Sequence, residues 1–221
     1  MIIRLSVNIY FSPLNPIFIT FAKYLTTMNY INLAIFASGS GSNAENIVNY
    51  FANNKQIRVA ALFCNKADAF VLERIYKTLF PKIVFTKNEM LNSSKIDEKL
   101  QSFAIDYIVL AGFLLKIPKR INDLYKNKII NIHPALLPDF GGEGMYGMNV
   151  HKAVKSSGAS ETGITVHIID EDYDRGEIIF QAKCLVTPED TPESIADKIH
   201  TLEQEHFPKV IERFILERNT L

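Results

Sequence analysis

The chain has 221 residues, 48% of them hydrophobic and 22% charged, a length and balance that support a globular core and exclude collagen-like, disordered or polytopic membrane chains. Its 24 basic residues offset 24 acidic ones, and a net charge of +0 offers no electrostatic case for nucleic acid or an anionic membrane as partner. Cys64 and Cys184 have no CxxC spacing, which excludes a disulfide framework or a structural zinc site and fits a reducing cytoplasm.

Residues 1–27 differ from the rest. They are apolar, carry one Arg and one Lys, and contain no acid. The uncharged run 5–22 resembles a signal or anchor, but Pro13 and Pro16 break it and Ser6, Asn8, Ser12 and Asn15 interrupt it. The favoured expectation is an N-terminal extension from a mis-called start, with Met28 opening a single domain over 28–221.

From Ile31 the chain alternates strands and helices. The apolar run 31–37 (INLAIFA) stops at glycines and reads as a buried strand. Residues 42–51 place Ala44, Ile47, Val48 and Phe51 on one helical stripe. A second strand spans 56–63 (QIRVAALF), and Asp68 is placed to cap a helix with Phe70, Val71, Leu72 and Ile75 on its apolar face. A third strand, 81–85, precedes a helix over 93–103 capped by Ser93 or Ser94. A fourth strand (YIVL, 107–110) ends at Ala111-Gly112, a short helix follows Pro118, and a fifth strand spans 128–132. A helix around 150–156 follows a glycine-rich loop. Two further strands, 163–169 and 177–184, flank an acidic loop, and a long helix over 190–215 closes the pattern. Such alternation predicts an α/β, Rossmann-like, mostly parallel twisted sheet with helices on both faces. Ligands of such sheets bind beyond the carboxyl ends of the strands, here at 38–43, 112–117 and 131–138.

Ser38-Gly-Ser-Gly-Ser-Asn43 joins the first strand to the first helix. Main-chain N–H groups at a helix start, together with the helix dipole, favour a phosphate, and Gly41, Ser42 and Asn43 are the candidate ligands. The loose dinucleotide fingerprint also fits Gly39-x-Gly41-x-x-Ala44, but the second strand ends Phe63-Cys64-Asn65 with no acid to hold ribose hydroxyls. A tight turn without a ligand is the third reading. At the fifth strand, Asn131 and His133 lie two apart and so point to one side. An amide there can donate to an oxygen gaining negative charge, and an imidazole can move protons at neutral pH. A structural role for both, in a loop and at a strand end, is the alternative. The acidic loop Asp170-Glu-Asp-Tyr-Asp174 follows a strand containing His167; it reads as a solvated hairpin, or as the source of an acid for His133. A metal reading of these residues lacks HExxH-type spacing. His151, His200 and His206 read as surface or satisfied helical residues.

Six segments together resemble the phosphoribosylglycinamide formyltransferase family: NLAIFASGSGSNAENI, CNKADAFVLER, YIVLAGFLLKIP, INIHPALLP, GITVHIIDEDYDRGEIIFQAK and the EQEHFP helix. The resemblance implies the formyltransferase fold and transfer of a formyl group from the co-substrate 10-formyltetrahydrofolate to glycinamide ribonucleotide, without metal. It implies Asn131, His133 and Asp174 as the catalytic trio. It puts Gly41, Ser42 and Asn43 on the substrate phosphate and Glu203 on the ribose. It lines the folate pocket with Leu114, Leu115, Lys116 and Ile117 and with Asp170, Glu171, Asp172 and Tyr173. Partners would be these small molecules, with no nucleic acid and no membrane. The chain departs from familiar members at Ser93 and Asp139, where relatives carry basic residues, in the loop Gly141–Gly147, a candidate lid, and at His200, where some relatives carry a lysine. The alternative functions are formyltetrahydrofolate hydrolysis and non-catalytic binding of a phosphate or nucleotide.

Overall fold

A computed structural model describes residues 30–169 and 176–219. The expected extension over 1–27 and the acidic loop with Asp174 lie outside these residues. Among the described residues, seven strands form one sheet: β1 (Ile31–Ala37), β2 (Ile57–Cys64), β3 (Lys82–Val84), β4 (Tyr107–Leu110), β5 (Ile129–His133), β6 (Glu161–Ile168) and β7 (Ile178–Leu185). Their order is β3-β2-β1-β4-β5-β6-β7. The first five run parallel, and β6 and β7 are antiparallel to their neighbours. The helices are α1 (Ser42–Phe51), α2 (Val71–Arg74), α3 (Lys87–Asn92), α4 (Lys95–Ser102), α5 (Lys119–Leu124), α6 (Met148–Ser157) and α7 (Pro192–Asn219).

The alternation of β-strand side chains divides the core in two. Leu33, Ile35, Val109, Ile130 and Ile132 point to the side packed by α1, α2, α6 and α7. Ala34, Phe36, Ala61, Phe63, Ile108 and Ile129 point to the side packed by α3, α4 and α5. These strands are buried on both faces, which is why their sequences are continuously apolar. Among the described residues, no helix is long and apolar enough to cross a membrane.

Three local expectations change. Asp68 is exposed, and α2 is a single turn whose N-cap is Phe70, without a side-chain cap. The helix expected over 93–103 begins at Lys95, and the Ser93 hydroxyl accepts from the Lys95 N–H at 3.1 Å. Helix α3 was not expected, yet Thr86 and Glu89 form a reciprocal capping box at its start, a T-x-x-E signature present in the sequence.

Candidate active site

Strand order reverses direction at β1, which lies between β2 and β4, and a crevice opens there beyond the carboxyl ends. A cavity of about 590 Å³ occupies it. All the sequence-expected residues that are described reach its wall: Gly41, Ser42, Asn43, Leu114, Leu115, Lys116, Ile117, Asn131, His133 and Glu203. Residues Asp170, Glu171, Asp172, Tyr173 and Asp174 lie outside the described residues.

The glycine turn forms the start of α1. Gly41 has φ +78°, a left-handed conformation that glycine adopts without steric cost, and a Cβ there would overlap the Val71 side chain at the start of α2. The Gly41 carbonyl begins the helix by accepting the Glu45 N–H at 2.8 Å. No side chain caps this end among the described residues, so the first main-chain N–H groups remain available to an anion. Arg74 braces the turn from α2, donating Nε–H to the Ser40 carbonyl at 2.9 Å and pairing with Glu45 at 2.7 Å. Behind the turn, Asn43 Nδ2 donates to Glu203 Oε2 at 2.9 Å, and Gln204 Nε2 donates to Asn43 Oδ1 at 3.2 Å. Two residues 160 positions apart thus meet at one end of the cavity.

Asn131 and His133 project to the Ile129 side of β5, while Ile130 and Ile132 enter the opposite core. Antiparallel pairing sets His167 directly opposite Asn131 and Thr165 opposite His133. Asn131 Nδ2 lies 3.0 Å from His167 Nε2, and His167 Nδ1 lies 3.3 Å from the Ile168 carbonyl. A carbonyl only accepts, so the consistent tautomer carries its hydrogen on Nδ1 and accepts the Asn131 amide at Nε2. This bond sets the plane of the amide, and Asn131 itself lines the cavity. The fully buried Thr165 hydroxyl accepts from the Leu137 N–H at 2.9 Å and donates to the Ala135 carbonyl at 2.7 Å. Gln181 adds a bond to the Leu137 carbonyl at 3.0 Å. These contacts hold the 134–138 segment that follows His133. The His133 ring is 3% exposed and donates Nε2–H to the Phe140 carbonyl at 2.9 Å.

His151 departs from the reading of it as a surface or satisfied residue, whereas His200 is exposed as expected and also lines the cavity. His151, on α6, lines the cavity, is 6% exposed, and has no partner for Nδ1 among the described residues. Burial holds its pKa below the ordinary value and His133 pushes the same way, with Glu203 opposing. His200 lines the cavity on α7 with Nδ1 3.7 Å from Glu203 Oε2. The Glu203 carboxylate beside it raises its pKa, burial and Arg74 oppose, and Asp197 adds to the rise. His206 packs on the Phe180 ring at 5.1 Å, a helical position of the expected kind. The loop expected to act as a lid contributes residues 142–147 to the cavity wall, with Asn149 Nδ2 donating to the Gly144 carbonyl at 3.2 Å. Among the described residues, no group of three or more His, Cys, Asp or Glu side chains is placed to hold a metal ion.

Site roles for Thr165 and Gln181, and the placement of His151 and His167 at the site, were not expected from sequence. The one available signal was period-two spacing of Thr165 and His167, which implies a shared side but not which strand faces them.

Residues 31–211 match the formyl transferase family. The chloroplastic phosphoribosylglycinamide formyltransferase of Arabidopsis thaliana is 39% identical over 180 residues, which cover 79% of this chain and 61% of the plant protein. The chain therefore spans about three fifths of that relative's length. Phosphoribosylglycinamide formyltransferase of Bacillus subtilis is 37% identical over 187 residues, covering 82% of this chain and 93% of the bacterial protein. The crystal structure of glycinamide ribonucleotide transformylase 1 from Geobacillus kaustophilus aligns with a TM-score of 0.75 at 36% identity, covering 82% of this chain and 97% of that one. By this family match and these relatives, the chain belongs to the formyl transferase family, among its phosphoribosylglycinamide formyltransferases.

Proposed function

We propose that the chain transfers the formyl group of 10-formyltetrahydrofolate to the amine of glycinamide ribonucleotide, a step of purine biosynthesis. The observation that carries this reading is the convergence of Asn131 and His133 on the same cavity as an uncapped helix start backed by the Asn43–Glu203 pair. The ribonucleotide phosphate would sit on the N–H groups of Gly41, Ser42 and Asn43, and Glu203 would accept from the ribose hydroxyls. The 110–117 wall combines apolar Leu110, Leu115 and Ile117 with main-chain groups, a combination suited to the flat, polar-edged ring of a folate.

In this reading the free amine attacks the formyl carbon, and a tetrahedral intermediate places negative charge on the formyl oxygen. The second Asn131 N–H donates to that oxygen. The oxygen also competes with the Phe140 carbonyl for the Nε2 hydrogen of His133. Breaking the bond from the formyl carbon to N10 releases tetrahydrofolate, and the proton lost by the amine ends on N10. Asp174 is assigned to holding His133 charged. Proximity and charge stabilisation are then the main catalytic terms. The free thiols of Cys64 and Cys184 suit a reducing compartment, and the cytoplasm is the proposed setting.

The test is release of tetrahydrofolate from 10-formyltetrahydrofolate with and without glycinamide ribonucleotide. Acceptor-dependent release supports the transferase. Release without acceptor identifies a hydrolase, and binding without turnover identifies a binding module.

A further inference from the structure

We propose that Ser38 is a positioning residue for the donor side of the cavity, holding the 112–117 segment after β4 against the ends of β1 and β2 through its hydroxyl. The substrate it affects is named from the function proposed above. The coupling itself rests on geometry.

Ser38 is 1% exposed and does not line the cavity. Its Oγ donates to Asn65 Oδ1 at 2.6 Å, just beyond β2, and accepts the Leu114 N–H at 3.0 Å. Its own N–H donates to the Gly112 carbonyl at 3.2 Å. One small side chain therefore ties the ends of three adjacent strands, β2, β1 and β4, at the point where strand order reverses. A hydroxyl suits this place because it donates once and accepts as well, and both capacities are used.

The segment it holds is anchored on two sides. Gly112 turns the chain with φ +72°. Phe113 sends its ring into the α3–α5 side of the core, edge-on to Phe36 with centroids 5.3 Å apart. The Leu114 side chain is 45% exposed, so little apolar packing holds its backbone, and the bond from its N–H to Ser38 sets the path toward Ile117. That path forms the wall beside Asn131, because Leu110 pairs with Asn131 across β4 and β5. In the reading above this wall holds the donor, so a less preorganised wall weakens donor binding. Ser38 thus fixes the wall on which the donor is presented.

The experiment compares the full chain with Ser38→Ala, Asn65→Ala and the double variant. Steady-state kinetics separate the KM for 10-formyltetrahydrofolate from that for glycinamide ribonucleotide, and hydrogen exchange reads the 112–117 and 39–43 segments. Ser38→Ala is expected to raise the donor KM about five- to tenfold. The expected kcat and acceptor KM stay within about twofold, and exchange quickens at Leu114 but not in the glycine turn. The double variant is expected to be no worse than Ser38→Ala, because the two side chains act through one bond. A parallel rise of both KM values, an unchanged donor KM, or unchanged exchange at Leu114 overturns the inference. A parent protein without acceptor-dependent turnover overturns the functional reading instead, and the exchange comparison still tests the coupling. If Ser38→Ala does not fold, Asn65→Ala, which removes the group orienting the hydroxyl, carries the same expectation at smaller size.

Discussion

Replacing Asn131 by alanine removes both the donor proposed for the formyl oxygen and the donor to His167, and the two losses are separable. The amide has two N–H groups; its Nδ2 lies 3.0 Å from His167 Nε2, and Asn131 lines the cavity. Losing a donor to a developing oxyanion costs about 2.7–4 kcal/mol, a fall in kcat of roughly 10²–10³. The fully buried His167 is left without its Asn131 partner, which costs about 1–3 kcal/mol of stability. In a chain of this size that is a Tm drop of roughly 2–12 °C. Acceptor-dependent tetrahydrofolate release at saturating substrates reads the first effect, and scanning calorimetry reads the second. His167→Phe provides the contrast: the catalytic N–H remains but its orientation is lost, so kcat is expected to fall less than in Asn131→Ala. A folded Asn131→Ala enzyme with kcat within about threefold of the parent refutes the oxyanion assignment.

Gly41→Ala must adopt a left-handed conformation and also overlap Val71. The conformation alone costs about 1–2 kcal/mol, so Tm should fall and the ribonucleotide KM should rise together; an unchanged melting temperature contradicts the packing argument. Glu203→Gln keeps the size of the side chain but removes the charge facing Asn43 and His200. It is expected to weaken ribonucleotide binding about tenfold while leaving donor binding unchanged, and calorimetric titration of each ligand decides. His151 is buried with its pKa held below 6.5. Between the folded value and 6.5 the unfolded chain binds more protons, so its contribution is present above pH 6.5 and declines as pH falls below it. His151→Gln is accordingly expected to lose less stability than the parent between pH 7 and pH 5; equal losses in denaturant titrations at both pH values exclude that account.

Local chemistry determined much of this protein. Continuous apolar runs marked β1, β2 and β4 because both faces of a parallel sheet are buried, and the helical stripe Ala44–Ile47–Val48–Phe51 marked α1. The glycine turn was legible because an apolar strand running into Gly39 and Gly41 ahead of a helical stripe must turn there. Asn131 and His133 were legible as a pair because strand period puts alternate residues on one side. Helix α3 was legible in principle from Thr86 and Glu89, but six residues carry too short a stripe to stand out.

The contacts that orient the site depend on register and on chain-distant packing, which no local pattern encodes. Pairing of β5 with β6 put His167 against Asn131 and Thr165 against His133, and a one-residue slip would have turned both to the other face. Burial of His151, the meeting of Asn43 with Glu203, and the reach of Ser38 to Asn65 and Leu114 arose only when separate elements packed. Residue types and short spacings could nominate candidate groups because those are properties of neighbours along the chain. Bonds made by Ser38, Asn43 and Asn131 join residues 27 to 160 positions apart, and only the folded chain brings such residues within reach.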